Sequence, residues 1–321
     1  MKKVKVGFIG VGGIASVHMA NIAQHEHADI VAVCDIVEAS ARAAGEKFGA
    51  TVYTDSSDLL EKEKIDALFI CVPPFAHGNI EEKAAQLGIH LMVEKPIGLD
   101  LPSVQTKLKA IEDAGILCAT GYCLRYLDTI EKAKGFLNGR EIAMVRGYYL
   151  TSFVHTPWFR EIEKSGGQLV EQATHILDLI RYLCGEINQV YANMNLNVLK
   201  DIPNINIPDV TSLNFTFESG AVGHLDCSLT QPDHRMGLEI LGKDFRVEVN
   251  GTDVTIVEKD KKTIFKSNVN FYEQQDKAFI EAVQTNDTKQ ILSTYENGIK
   301  TLAVTLAAYE SNETNTRIVI K

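Results

Sequence analysis

Val4-Lys5-Val6-Gly7-Phe8-Ile9-Gly10-Val11-Gly12-Gly13-Ile14-Ala15 carries an apolar strand directly into a glycine-rich turn. An apolar helix follows the turn, and a second apolar strand over 30–34 ends on Asp35. Gly10 permits a tight turn, and Gly12 lets backbone N–H groups at a helix N-terminus approach a pyrophosphate. Ala15 lets helix and strand pack closely, and Asp35 can accept hydrogen bonds from an adenosine ribose. Gly-x-Gly-x-x-Ala is a weak signal alone. Here a strand precedes it, a helix follows, and an acid lies about 20 residues on, the context in which the motif specifies a dinucleotide site. Gly10, Gly12, Gly13, Ile14 and Asp35 are the residues expected to line it. Asp35 points to NAD over NADP. Its carboxylate repels a 2′-phosphate, and Ile36 and Val37 offer no cation to receive one.

The 321 residues suit two domains, each large enough to bury a core. At 45% apolar and 23% charged, the composition is that of a soluble globular protein. A net charge of −10 argues against nucleic acid as a partner. No basic amphipathic stretch, signal peptide or apolar run of membrane-spanning length is present, so a cytoplasmic protein is expected. The six cysteines are scattered, without Cys-x-x-Cys, and read as reduced structural thiols.

Strands and amphipathic helices alternate as far as Gly121: helix 38–48, strand 51–53, strand 66–72, helix 75–87, strand 89–93, helix 103–114 and strand 116–120. This order predicts a doubly wound Rossmann domain over 1–121, with its ligand beyond the carboxyl ends of the strands. From Tyr122 the pattern changes. Helix 129–137 precedes a long strand over 142–153, a loop, and a helix over 169–183. Short strands follow at 190–198, 211–217, 221–229, 237–241, 246–249, 253–258 and 263–266, and helices over 272–285 and 294–311 close the chain. Turn signals such as Asn250-Gly251 predict antiparallel hairpins. Residues 122–321 are thus expected to form an α+β domain with a large, mostly antiparallel open sheet. Helices cover one face, and the other is expected to assemble a homodimer or homotetramer.

Two strand ends carry chemical residues. Val72-Pro73-Pro74-Phe75-Ala76-His77 forces an extended turn where the nicotinamide half of a cofactor would lie. Glu94-Lys95-Pro96 follows the apolar strand 89–93, which places Lys95 at the carboxyl end of a central strand.

These motifs together resemble the glucose–fructose oxidoreductase / inositol dehydrogenase / MocA family. The likeness runs through Gly10–Ala15 with His18, Val72-Pro73-Pro74 with His77, and Glu94-Lys95-Pro96. It continues with Gly121-Tyr122 and Arg125, Trp158 and Arg160, Gly166-Gly167, His175 and Asp178. The resemblance implies a two-domain NAD(P)-dependent oxidoreductase acting on sugars, polyols or related compounds. In many members a lysine, an acid and a histidine share the substrate hydroxyl, and these roles map onto Lys95, Glu171 and His175. His175 is the expected general base or acid. The Lys95 ammonium is expected to stabilise a developing alkoxide, and Glu171 to orient both. On one continuous helix, Glu171 and His175 at i and i+4 share a face. Val72, Pro73, His77, Glu94 and Lys95 are expected beside the cofactor, and Tyr122, Arg125, Trp158 and Arg160 beside the substrate.

One departure from the family pattern is plain. Where many members read Gly-Gly-Gly, then Asp, then Gly before the histidine, this chain has Gly166-Gly167-Gln168, Glu171 and Ala173. Glu is one methylene longer than Asp, a displacement of roughly 1 Å or more. Glu171, His175 and Asp178 also lie at i, i+4 and i+7, a possible metal face. No second histidine or cysteine lies nearby to complete it, and no metal is expected. A dehydrogenase or reductase of a small polyhydroxylated substrate is the leading reading. The alternatives are a redox-neutral, NAD-retaining glycoside hydrolase or epimerase, and a non-enzymatic ligand sensor on the same fold.

Overall fold

The computed structural model describes residues 2–320. The chain forms two compact units, one of residues 1–123 with 270–299, the other of 124–269 with 300–321.

Among the described residues six strands build the first unit's sheet: β1 (Val4–Ile9), β2 (Ala28–Cys34), β3 (Thr51–Tyr53), β4 (Ala67–Ile70), β5 (His90–Val93) and β6 (Cys118–Thr120). All pair in parallel, in the order β3-β2-β1-β4-β5-β6. Every residue of Ala67-Leu68-Phe69-Ile70 is fully buried, as a strand covered on both faces requires. Strand order reverses between β1 and β4. A doubly wound sheet opens its ligand crevice at such a reversal, beyond the carboxyl ends of the strands.

The boundary expected at Gly121 is crossed again later in the chain. Helix Phe271–Thr285 belongs to the first unit. Its Phe279 and Ile280 are fully buried in one cluster with Val6, Phe8 and Phe69, and Phe279 meets the Phe69 ring edge-on at 5.5 Å. The helical period fixes which face is apolar, but not which core that face enters. The expected helix 75–87 is likewise shorter: a single 3-10 turn, Pro74–Ala76, precedes helix Ile80–Gln86.

Among the described residues the second unit holds nine strands: β7 (Ile142–Ser152), β8 (Ile187–Asn195), β9 (Val210–Phe217), β10 (Val222–Ser228), β11 (Thr230–Gly242), β12 (Phe245–Asn250), β13 (Asp253–Glu258), β14 (Lys261–Phe265) and β15 (Ile318–Val319). Their order is β14-β13-β12-β11-β7-β10-β9-β8-β15. β7 and β10 pair in parallel, and the other neighbours are antiparallel. Helix Thr174–Cys184 packs on β7 and β11. Along β7, Val145 and Gly147 face inward and are buried, while Met144 and Arg146 face outward. The outward face carries cross-strand polar pairs such as Arg146 with Glu239 and Ser212 with Asp226.

All six cysteines are free thiols. Among the described residues no helix is long and apolar enough to cross a membrane.

Candidate active site

The glycine turn follows β1 directly. Gly10 has φ +83°, and a Cβ there would lie 2.5 Å from the Cys71 carbonyl oxygen, so neither the backbone nor the space admits a side chain. Gly12 and Gly13 differ. Both are exposed with nothing within 4 Å of an added Cβ, and Gly12 has φ −71°. No protein neighbour explains a glycine at either position, whereas a closely approaching ligand does. Gly12 caps helix Gly13–Gln24 without a side-chain hydrogen bond, and no acid occupies the first turn. The N–H groups of Gly13 and Ile14, at the positive end of the helix dipole, suit an anionic pyrophosphate.

Asp35 lies immediately after β2 and is half-buried. One carboxylate oxygen accepts the Val11 N–H at 3.0 Å and the other the Val37 N–H at 2.9 Å. The acid therefore ties the glycine turn to the loop after β2. A carboxylate offers about four lone-pair directions, which leaves acceptor capacity for two ribose hydroxyls. The turn and Asp35 thus fit a dinucleotide.

β4 and β5 end on the same edge of the sheet. Val72 and Pro73 are half-buried there. His77 is turned into the interior: it is 1% exposed, its Nδ1 lies 2.6 Å from Glu81, and the Lys107 ammonium donates to the same carboxylate oxygen at 3.0 Å. An imidazole so enclosed does not line an open cofactor crevice, because the short 3-10 turn rotates it onto helix Ile80–Gln86.

Lys95 is half-buried and follows β5 by two residues, joined to Pro96 by a cis peptide bond. Glu94 is 4% exposed and turned inward. Its Oε2 accepts the Lys95 N–H at 3.0 Å, and its Oε1 lies 3.0 Å from His18 Nε2. His18 Nδ1 in turn lies 2.7 Å from Asp276. Burial pulls the pKa of His18 down, but the hydrogen bonds and charges of Asp276 and Glu94 outweigh it and raise it to about 10. His18 is thus an imidazolium at neutral pH. Sequence reasoning missed Asp276, which lies 258 residues from His18. The available signal was a Gln275-Asp276 pair on the apolar side of an amphipathic helix, where both are buried.

Tyr122 is also enclosed, at 2% exposure. In the second unit, the expected continuous helix 169–183 is two helices, Gly167–Glu171 and Thr174–Cys184. Gln172 and Ala173 break it, and the Ala173 N–H donates to Gln168 O, five residues back. The i, i+4 argument for Glu171 and His175 therefore does not apply, because helical phase is lost between them. Both side chains are half-buried.

Arg125 and Asp178 pair in the interior of this unit. Arg125 Nε and Nη2 each donate to a different Asp178 oxygen at 2.7 Å, and the two residues are 5% and 1% exposed. The Thr301 hydroxyl also donates to Asp178, and the Arg125 guanidinium lies 4.7 Å from the Tyr182 ring centre. Asp178 is thereby committed to Arg125 and does not join Glu171 and His175 in a metal face. Trp158 packs against a core of Phe159, Ile207 and Leu229. Arg160 donates to the carbonyls of Pro203 and His155, tying two loops together.

A parallel sheet in this order, with a bare helix N-terminus after β1 and an acid after β2, defines a dinucleotide-binding protein. Residues 4–122 match the oxidoreductase family with an NAD-binding Rossmann fold, and residues 141–257 match the GFO/IDH/MocA C-terminal domain. The chain belongs to the GFO/IDH/MocA family, as an NAD-binding oxidoreductase. It is 28% identical to the oxidoreductase YrbE of Bacillus subtilis, whose activity is uncharacterised, over 97% of this chain and 94% of the relative. It is also 28% identical to myo-inositol 2-dehydrogenase of Thermotoga maritima, over 83% of this chain and 76% of the relative. Its fold matches the WlbA dehydrogenase from Bordetella pertussis, solved in complex with NADH and UDP-GlcNAcA. The TM-score is 0.87 at 24% identity, over 100% of this chain and 99% of that one.

Proposed function

We propose that this oxidoreductase interconverts a hydroxyl and a carbonyl on a sugar, inositol or related polyol. The observation that carries the reading is the position of Lys95. It follows β5 on the same sheet edge as the glycine turn after β1 and the Val72-Pro73 turn after β4. The likeness to a myo-inositol 2-dehydrogenase supports the substrate class.

When bound, NAD supplies the hydride acceptor. The N–H groups of Gly13 and Ile14 would hold the pyrophosphate, and Asp35 would accept hydrogen bonds from the ribose hydroxyls. Lys95, as an ammonium, stabilises negative charge on the substrate oxygen while the carbinol C–H bond breaks. The family resemblance gives His175 the hydroxyl proton and Glu171 the support of the resulting imidazolium. Reduction runs the same steps backward.

The test is nicotinamide absorbance after mixing the protein with NAD and pooled inositols, sugars and sugar acids. NADH accumulation is expected. Lys95→Ala should lower turnover about 100- to 1,000-fold, the usual loss on removing an oxyanion-stabilising group, with NAD binding retained. Wild-type turnover in that variant would overturn the role given to Lys95. Substrate consumed without net NADH would replace the proposal by a redox-neutral reaction. The reading includes self-association through the outward face of the nine-stranded sheet, as a dimer or tetramer. Light scattering that finds a monomer at micromolar concentration would refute that part.

A further inference from the structure

We propose that His18 is a positioning residue for Lys95: held by Asp276, its imidazolium fixes the Glu94 carboxylate, which in turn holds the main chain at Lys95. The proposal rests on the catalytic role read for Lys95 above.

The connection is continuous within one unit. Asn21 Nδ2 donates to Asp276 Oδ2 at 2.8 Å, Asp276 Oδ1 meets His18 Nδ1 at 2.7 Å, and His18 Nε2 meets Glu94 Oε1 at 3.0 Å. The last link is the Lys95 N–H donating to Glu94 Oε2 at 3.0 Å. Proton counting agrees with this charge. A neutral imidazole has one donor and one acceptor nitrogen, whereas both nitrogens of His18 face carboxylates. With Asp276 and Glu94 ionised, only the doubly protonated ring bonds both.

Sterics restrict how far the parts can move. The His18 ring is fully buried, with Phe69 at 5.4 Å and Tyr272 edge-on at 5.9 Å between ring centres. On the far side of Glu94, a Cβ at Gly121 would sit 2.5 Å from Oε1, so the carboxylate lies against bare backbone with no room to swing that way. Burying two carboxylates around one imidazolium is an expensive way to stabilise a fold, since apolar side chains of similar volume do as well or better. The cluster does what apolar packing cannot: it sets the direction of an N–H bond two residues from the strand end, and so the course of the chain that presents the ammonium.

Amide hydrogen exchange on the full chain, read by NMR, tests this. The Lys95 N–H bonds the Glu94 side chain, whereas the Glu94 and Leu91 N–H groups bond the β4 and β6 flanks through Ile70 O and Leu117 O. In His18→Gln, the Lys95 amide is expected to exchange at least about tenfold faster, while those two ladder amides change less than about twofold. In the substrate assay above, kcat should fall at least about tenfold with the Kd for NADH held within about threefold. An unchanged Lys95 amide, or three amides accelerating together, would overturn the proposal, the latter because it is the mark of a purely structural role. If His18→Gln does not fold, the isosteric Asp276→Asn must give the same selective pattern, and its absence there is equally decisive. Wild-type turnover in Lys95→Ala would sink the catalytic reading of Lys95 while leaving the exchange result standing.

Discussion

Asp178→Ala is the sharpest probe of the second unit, because it separates a structural ion pair from a substrate contact. The variant strips Arg125 of two 2.7 Å hydrogen bonds and leaves a guanidinium in a site where it is 5% exposed. It also removes the acceptor of the Thr301 hydroxyl. Removing one partner of a buried pair costs about 3–5 kcal/mol, mostly the penalty of the charge left behind. For a domain of this size each kcal/mol moves Tm by roughly 2–4 °C, so a fall of roughly 6–20 °C is expected. Differential scanning fluorimetry reads it directly. Arg125→Met combined with Asp178→Leu removes both charges and should be less destabilised than the sum of the single variants, a coupling that a double-mutant cycle measures. A Tm fall under about 2 °C in Asp178→Ala would refute the argument. So would strict additivity in the cycle, and Arg125 would then return as a candidate substrate ligand.

Gly12→Ala should fold as the wild type does, because its Cβ meets nothing within 4 Å. It should nevertheless weaken NADH binding about 10- to 100-fold by blocking charge-assisted bonds at the helix end, as fluorescence titration would show; unchanged affinity would remove the pyrophosphate from that turn. His18 makes stability depend on pH with a definite sign. Its folded pKa of about 10 lies above the ordinary 6.5, so its contribution is complete below pH 6.5, declines as pH rises, and is gone above about 10. Between those limits the wild type should lose about 1.4 kcal/mol per pH unit more than His18→Gln in urea titrations. Parallel profiles would mean that the ring is neutral.

Much of the first unit was legible in the sequence because its signals are local. A strand, two glycines, a helix and an acid within 35 residues fix the turn, the helix end and Asp35, and no distant contact is needed to place them. Glu94-Lys95 was legible for the same reason, lying directly after a buried strand. The alternation of the second unit announced an antiparallel sheet, although not the two-residue β15 at its edge.

Tertiary structure decided what depended on direction or distance. His77 and Glu94 follow the expected strand ends, yet their side chains turn inward, because the 3-10 turn after Pro73 and the His18 imidazolium give each a buried partner. Arg125 reads in sequence like a ligand-binding cation until Asp178, 53 residues on, takes its guanidinium. The Glu171–His175 spacing reads as one helical face until Gln172 and Ala173 break the phase. By itself the sequence determined that a dinucleotide turn and a lysine at a strand end exist, since backbone geometry within one β–α unit depends on neighbouring residues alone. Only the folded chain decided that Asp276, on a helix near the other end, completes the first unit and sets the charge of His18, since burial and pairing depend on which faces meet.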